Sequence, residues 1–256
     1  MMATEILSYG GGTQAVAMCV LIALGKLPKP DYVIAADTGR EMPSTWEYAD
    51  TYMRPLLASV GLDLHLAPHT LATVDLYAHN GDLLLPVHTN TGKLPTYCSG
   101  EWKREVCRRY ARTVLGTGTD LVWWIGYSLD EMRRVRTVRD ETGRAIADDE
   151  RRYPLIDLML TKADCLHIIE TAGLPLPRKS RCWMCPHQDN AEWQEVRAHP
   201  GLWRQAVELD QEIRDADERG GGVNLHAQRV PLELADLDAN DRREPNRQCA
   251  FGLCFV

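Results

Sequence analysis

The stretch Glu5-Ile6-Leu7-Ser8-Tyr9-Gly10-Gly11-Gly12-Thr13-Gln14-Ala15, followed by an unbroken apolar run to Leu24, decides the fold. It reads as a short strand, a glycine turn and a buried helix, an order that points backbone N–H groups and the positive end of a helix at an anion. It is not a Walker A loop, because no Lys-Ser/Thr follows the glycines, and it is not a Rossmann Gly-x-Gly-x-x-Gly. A tight β-α turn with no ligand is the plain alternative. Working outward, Tyr32–Ala36 is a continuous apolar strand ending at Asp37-Thr38-Gly39. Ser44 reads as the N-cap of a helix through Val60, with Glu47 completing a capping box. Leu62–Ala67 is the next strand. Apolar strands alternating with helices predict an α/β fold with an open, mostly parallel, doubly wound sheet.

Farther along, residues 68–97 are irregular, a helix spans about 101–115, and Leu121–Ile125 is another buried strand ending at Gly126. Residues 139–151 read as a charged surface loop, and Thr161–Ala172 as a helix stopped by Gly173. Leu174-Pro175-Leu176-Pro177 is a rigid extended segment leading to Cys182. Helices at about 190–198 and 200–217 precede the Gly220-Gly221-Gly222 break and a loop-like end. This places a nucleotide-binding domain at 1–160 and a helical, cysteine-bearing C-terminal region at 161–256, packed on the first.

The 256 residues are 45% hydrophobic and 25% charged, an ordinary globular balance that excludes extended disorder. With 29 basic and 36 acidic residues the net charge is −7, so nucleic acid is not attracted by global charge. No apolar run reaches the ~18 residues of a membrane span. Ala15–Leu24 lacks the basic flank of a signal peptide. A cytoplasmic protein is expected, and eight cysteines there point to metal or redox chemistry rather than disulfides.

Two more loops carry charge where ligands bind in open α/β sheets, at the carboxyl ends of strands. Asp37-Thr38-Gly39-Arg40-Glu41 can read a base or ribose, or simply make a turn. Gly126-Tyr127-Ser128-Leu129-Asp130-Glu131-Met132-Arg133-Arg134 follows the fourth strand and is otherwise a solvated loop. Cys182-Trp183-Met184-Cys185-Pro186 has the spacing of thiolate ligands for zinc or an iron–sulfur cluster, and Cys98 and the pair Cys249 and Cys254 extend the set. Cys19, Cys107 and Cys165 lie on apolar helix faces and read as core. Arg104, Arg108 and Arg112 share one face of the middle helix, with Arg109 beside them and further arginines at 133–139. They form a partial basic face for nucleic acid, or a solvated one.

These motifs together resemble the phosphoadenosine phosphosulfate (PAPS) reductase family of the PP-loop, or adenine nucleotide α-hydrolase, superfamily, over almost the whole chain. Tyr9–Ala15 stands where that superfamily has Ser-Gly-Gly-x-Asp-Ser. Asp37-Thr38-Gly39 with Glu41, Pro43 and Thr45 is similar to its Asp-Thr-Gly segment, and Cys98 with Lys103 to its Cys-x4-Lys step. Gly126–Arg134 is similar to its Gly-Ile-Arg-x-Asp-Glu-x-x-Arg loop, and Cys182–Pro186 to the Cys-x-x-Cys-Pro of bacterial and phage-type members. The loop here departs from the pattern: Gly10, Gln14 and Ala15 replace its Ser, Asp and final Ser. The end reads Gln248-Cys249-Ala250-Phe251-Gly252-Leu253-Cys254 where the sulfonucleotide reductases carry Glu-Cys-Gly-Leu-His.

The resemblance implies an adenine nucleotide as substrate. Ser8, Gly10, Gly11, Gly12, Thr13 and Gln14 would hold its phosphates. Asp37, Thr38, Gly39 and Glu41 would hold the nucleoside, with Gly126, Asp130 and Glu131 on the same cleft. In sulfonucleotide reduction, an oxidoreductase activity with a thioredoxin-type reductant, Lys103 and Arg134 would neutralise charge on the transferred group and Cys254 or Cys249 would be the nucleophile. The alternative is an ATP-dependent, iron–sulfur sulfurtransferase that modifies nucleic acid, with a 4Fe-4S cluster on Cys98, Cys182 and Cys185. A third reading is a non-catalytic nucleotide-binding protein in which Cys182, Cys185, Cys249 and Cys254 hold Zn2+ as a staple.

Overall fold

The computed structural model describes residues 3–69, 75–135, 150–217 and 222–239. They form two compact units. Unit 1 takes its described residues from 3–69, 100–135 and 150–180, and unit 2 from 75–99, 181–217 and 222–239. The sequence-based division at residue 160 falls inside unit 1, because the helix that follows it packs into the core of the sheet.

Unit 1 is a five-stranded sheet of β1 (Thr4–Ser8), β2 (Tyr32–Asp37), β3 (Leu64–Pro68), β6 (Leu121–Trp124) and β7 (Glu150–Arg152). The order is β3-β2-β1-β6-β7 and every neighbouring pair is parallel. Side chains alternate between faces with the strand period of two. Leu7, Val33 and Ala35 face one core with α1 (Thr13–Ala23), α3 (Arg54–Ala58) and α6 (Lys162–Thr171), to which the short α5 (Pro154–Asp157) adds Leu155. Ile6, Ile34 and Ala67 face the other with α4 (Glu105–Leu115). The sheet is thus covered on both sides, and Gln14 to Ile22 of α1 are all buried, as expected of a helix apolar all round.

Three local readings change. The helix expected from Ser44 begins instead as α2 (Pro43–Tyr48), with Met42 as N-cap and no side-chain cap bond. Proline at the first position needs no N–H partner and presets φ, so it displaces the Ser44–Glu47 box. The helix then passes through a π-helical turn, Ala49–Met53, into α3. Pro55 has no N–H to return to the preceding turn, and the wider turn absorbs that loss. Glu150 and Arg151, expected in a loop, belong to β7. A charged edge strand shows no apolar alternation, and its charge guards the edge against further pairing. α6 opens on a capping box: Thr161 accepts from the Asp164 N–H at 3.2 Å and Asp164 from the Thr161 N–H at 2.8 Å.

Unit 2 joins α7 (Asn190–Arg197) and α8 (Pro200–Asp215) to a small antiparallel sheet of β5 (Gly92–Lys93), β4 (His88–Thr89) and β8 (Val223–Asn224). Asp210 of α8 is buried and accepts the Leu225 N–H at 2.8 Å and the Leu232 N–H at 2.9 Å, so one carboxylate organises two irregular stretches of backbone. Among the described residues no helix is long and apolar enough to cross a membrane.

Candidate functional site

In unit 1 the sheet order reverses at β1, with β2 and β3 on one side and β6 and β7 on the other. The carboxyl ends of the strands at such a switch point define the crevice where α/β sheets bind ligands. The glycine loop leaves β1 there. Gly12 caps α1 with no side-chain bond, so the first-turn N–H groups of α1 are not capped from within by a side chain. Gly11 has φ +72°, and a Cβ placed on it would lie 2.7 Å from Thr45 Cγ2 and 3.6 Å from Ser180 Oγ. At Gly126 an added Cβ would stand 3.4 Å from Ala15 N and Gln14 Cβ, so the end of β6 lies in contact with the start of α1.

An open cleft lies beside this loop, lined by residues including Ser8, Tyr9, Gly10, Glu41, Lys103 and Ser180. Lys103 Nζ lies 2.8 Å from Glu41 Oε1, and the Glu41 side chain is only 3% exposed. The lysine is therefore held by a buried counter-charge, not loose on the surface. The buried Cys107 also lines the cleft, and burial pushes its thiol up to about 12, against the pull of Lys103. It is a protonated core residue, not a nucleophile. Tyr9 is buried beneath the loop, and burial raises its phenol far above the ordinary value.

The β2 loop makes a turn with its own side chains: Asp37 Oδ1 accepts from the Gly39 N–H at 2.9 Å and Thr38 Oγ1 from the Arg40 N–H at 3.2 Å. Arg40 lies over the buried Trp102 ring, 4.4 Å from its centroid. In the β6 loop, Glu131 is the hub. It accepts from Gln14 Nε2 at 2.8 Å and Ser128 Oγ at 3.4 Å, and it pairs with Arg134, which lies 4.3 Å from the Tyr127 ring centroid. Gln14, standing where the PP-loop pattern has Asp, thus ties the glycine-loop helix to the β6 loop. Asp130 is exposed and accepts the Lys162 N–H at 3.0 Å, so one of its oxygens caps α6. Thr13 is the first residue of α1, half-buried.

The arginine stripe of α4 is largely engaged within unit 1. Arg104 and Arg108 pair with Glu105, and Arg112 donates to the carbonyls of Thr117 and Thr119. Arg109 and Arg133 are exposed, and Arg136 and Arg139 lie outside the described residues.

In unit 2 the Cys182–Cys185 segment is a turn, with Cys185 N–H to Cys182 O at 3.1 Å and Gln188 N–H to Cys185 O at 3.1 Å. It is clamped from the β4–β5 hairpin. His88 Nε2 and Lys93 Nζ reach Pro186 O at 3.0 and 3.2 Å, and Lys93 Nζ donates to His187 Nδ1 at 2.7 Å. That bond leaves the His187 proton on Nε2, which faces Thr96 Oγ1 at 3.2 Å. Cys98 belongs to the same unit, its N–H bonded to Leu84 O at 3.0 Å.

Cys98, Cys182 and Cys185 are half-buried, whereas Cys19, Cys107 and Cys165 are core, as expected. An iron–sulfur cluster or zinc ion needs three or four donors converging on one point. Among the described residues no three His, Cys, Asp or Glu side chains make such a group. Cys249 and Cys254, and with them the expected terminal nucleophile, lie outside the described residues.

Thr45, already part of the Asp37-Thr38-Gly39 segment, covers Gly11, and Ser180, which the sequence reading does not single out, lines the cleft beside it. The one linear signal for Ser180 is its place in the basic run Arg178-Lys179-Ser180-Arg181 after the Pro175–Pro177 segment.

No protein-family profile and no curated protein matches this chain. Among solved structures, the U34-tRNA thiolase NcsA from Methanococcus maripaludis with its 4Fe-4S cluster is similar, with a TM-score of 0.40 and 17% identity over 81% of this chain and 71% of that one. That likeness identifies neither the family nor the reaction of this chain.

Proposed function

We propose that this chain binds ATP in the unit 1 cleft and activates an acceptor by adenylylation, the opening half of an ATP-dependent sulfur transfer in the cytoplasm. The observation that carries the reading is the glycine-capped start of α1 at the sheet's switch point, where backbone N–H groups and a helix dipole favour phosphate. An acceptor oxygen attacks the α-phosphorus, the bond to the α–β bridging oxygen breaks, and pyrophosphate leaves with the electron pair. The amides of the Gly10-Gly11-Gly12 loop and of Thr13 and Gln14 take the developing charge. The Asp37-Thr38-Gly39 turn offers backbone groups to the nucleoside. Sulfide supplied by a sulfur donor then attacks the activated acceptor carbon, the C–S bond forms as the C–O bond to AMP breaks, and AMP leaves with the electron pair.

This reading is preferred to reduction of an adenylyl sulfate because of the two cations which that reaction would use. Lys103 is paired with Glu41 and Arg134 with Glu131, so neither brings uncompensated charge to a sulfo group. Dipole-held phosphate does not need them to. The engaged arginines of α4 also leave any nucleic-acid acceptor to be met by other surfaces. The test is a comparison of ATP, ADP and adenylyl sulfate binding, followed by pyrophosphate release with candidate acceptors. ATP binding with acceptor-dependent pyrophosphate release is expected. Preferred binding of adenylyl sulfate with thiol-dependent sulfite release would replace the reading by sulfonucleotide reduction.

A further inference from the structure

The glycine loop has lost the hydroxyls of the pattern it resembles, since Gly10 and Ala15 stand at the two serine positions. A different part of the chain places a hydroxyl at the same loop. The segment after α6 is laid down by defined contacts: Leu174 packs against the α1–α3–α6 core, and Tyr48 Oη donates to Pro175 O at 2.7 Å. Pro175 and Pro177 stiffen the chain around this bond, because each fixes its own φ and restricts the residue before it. The segment ends at Ser180, whose Oγ and Cβ lie 3.6 and 3.7 Å from the point where a Gly11 Cβ would stand. Ser180 also lines the cleft together with Gly10 and Lys103. Its side chain is half-buried, and the exposed Arg178 and Lys179 precede it.

We infer that Ser180 is a positioning residue for the nucleotide, donating its hydroxyl to a phosphate oxygen held over the Gly10-Gly11-Gly12 loop. The inference rests on the proposed nucleotide site and deepens it: the group recognised is the phosphate chain, not the base or sugar. The absence of a side chain at Gly11 has a second consequence here. It lets Thr45 and Ser180 approach the loop backbone directly, which brings the Ser180 hydroxyl to the glycine loop.

The test uses the full chain and measures ATP and adenosine affinities by competition against a fluorescent ATP analogue, in wild type and Ser180→Ala, together with the unfolding temperature of each without ligand. A hydrogen bond to a charged oxygen gives an expected loss of about tenfold or more in ATP affinity. Adenosine affinity and the ligand-free unfolding temperature stay at wild-type values. Wild type that binds no ATP removes the underlying site and this inference with it. Wild type that binds ATP while Ser180→Ala binds it equally well overturns the Ser180 role and leaves the site standing. Equal losses for ATP and adenosine, or a variant that does not fold, also overturn it, since a role in shaping the segment then explains the residue.

Discussion

The unit 1 cleft and the unit 2 cysteine turn are built in opposite ways. Around the cleft the important groups are main-chain atoms: three consecutive glycines, an uncapped helix start and a packed crossing at Gly126. At the cysteine turn they are side chains, with His88, Lys93 and Thr96 meeting Pro186 and His187, and Gln188 reaching Trp183 O at 3.0 Å and Arg181 Nε at 2.9 Å. The first arrangement fails by steric intrusion, because adding one methyl closes it. The second fails by deletion, because each removed partner leaves a polar atom without its bond.

The sharpest way to break the comparison is Gly11→Ala. The left-handed φ costs any L-residue about 1–2 kcal/mol, and the contact with Thr45 adds an overpacking cost of about 1–3 kcal/mol. Denaturant unfolding is expected to show a combined loss of about 2–5 kcal/mol, with ATP binding abolished. Adding Thr45→Ser removes Cγ2 and should recover the overpacking part only. A Gly11→Ala variant with wild-type stability would mean that the loop is not held as described.

The matching deletion in unit 2 is Asp210→Ala. Two buried backbone N–H groups lose their acceptor, and each such loss costs about 1–3 kcal/mol, so a drop of about 2–6 kcal/mol in unfolding free energy is expected. The residue also carries a pH signature. Burial raises its carboxyl above the usual value, against the pull of the Leu225 and Leu232 N–H groups and of Arg214. A folded-state pKa above the unfolded one means that the folded chain holds the proton more tightly. The contribution is therefore full below the ordinary carboxylate range and is lost as pH rises through the raised value. Asp210→Asn, which cannot titrate, should flatten that part of the stability profile measured by denaturation across pH.

Thiol labelling compares the two units directly. With a chelator present, Cys98, Cys182 and Cys185 should react with a maleimide well before Cys19, Cys107 and Cys165, which are buried and, for Cys19, raised by burial to about 12. Mass spectrometry of the labelled peptides reads the order. Early labelling of Cys107 would reopen it as a cleft nucleophile.

The same contrast explains what was legible in the sequence. The run Gly10-Gly11-Gly12 announces itself after a strand, with Gly11 in a left-handed conformation that favours glycine, and apolar strands alternating with helices point to a doubly wound sheet. What was not readable depends on convergence. Ser180 reaches the glycine loop through Leu174 and Tyr48, contacts that no local spacing encodes, and β7 hides behind Glu150-Arg151-Arg152. The arginine stripe of α4 is visible in the sequence, but its engagement with Glu105, Thr117 and Thr119 depends on side-chain packing that helical spacing does not encode.

Asp130 gives the smallest effect and the finest distinction. As a charged residue in a carboxyl-end loop it reads as a nucleotide contact, yet its Oδ1 accepts the first N–H of α6, beside a complete Thr161–Asp164 box. A helix start has several orphan donors, so a second acceptor there is stabilising without being a ligand for anything else. Asp130→Ala should therefore cost about 0.5–1 kcal/mol of stability, in the range of an exposed cap, and leave ATP affinity at the wild-type value. Thr161→Ala should act in the same direction on the same helix. If Asp130→Ala instead weakened ATP binding with stability unchanged, its carboxylate would belong to the nucleotide cleft. The boundary between groups that hold the sheet domain together and groups that hold its ligand would then pass on the other side of this residue.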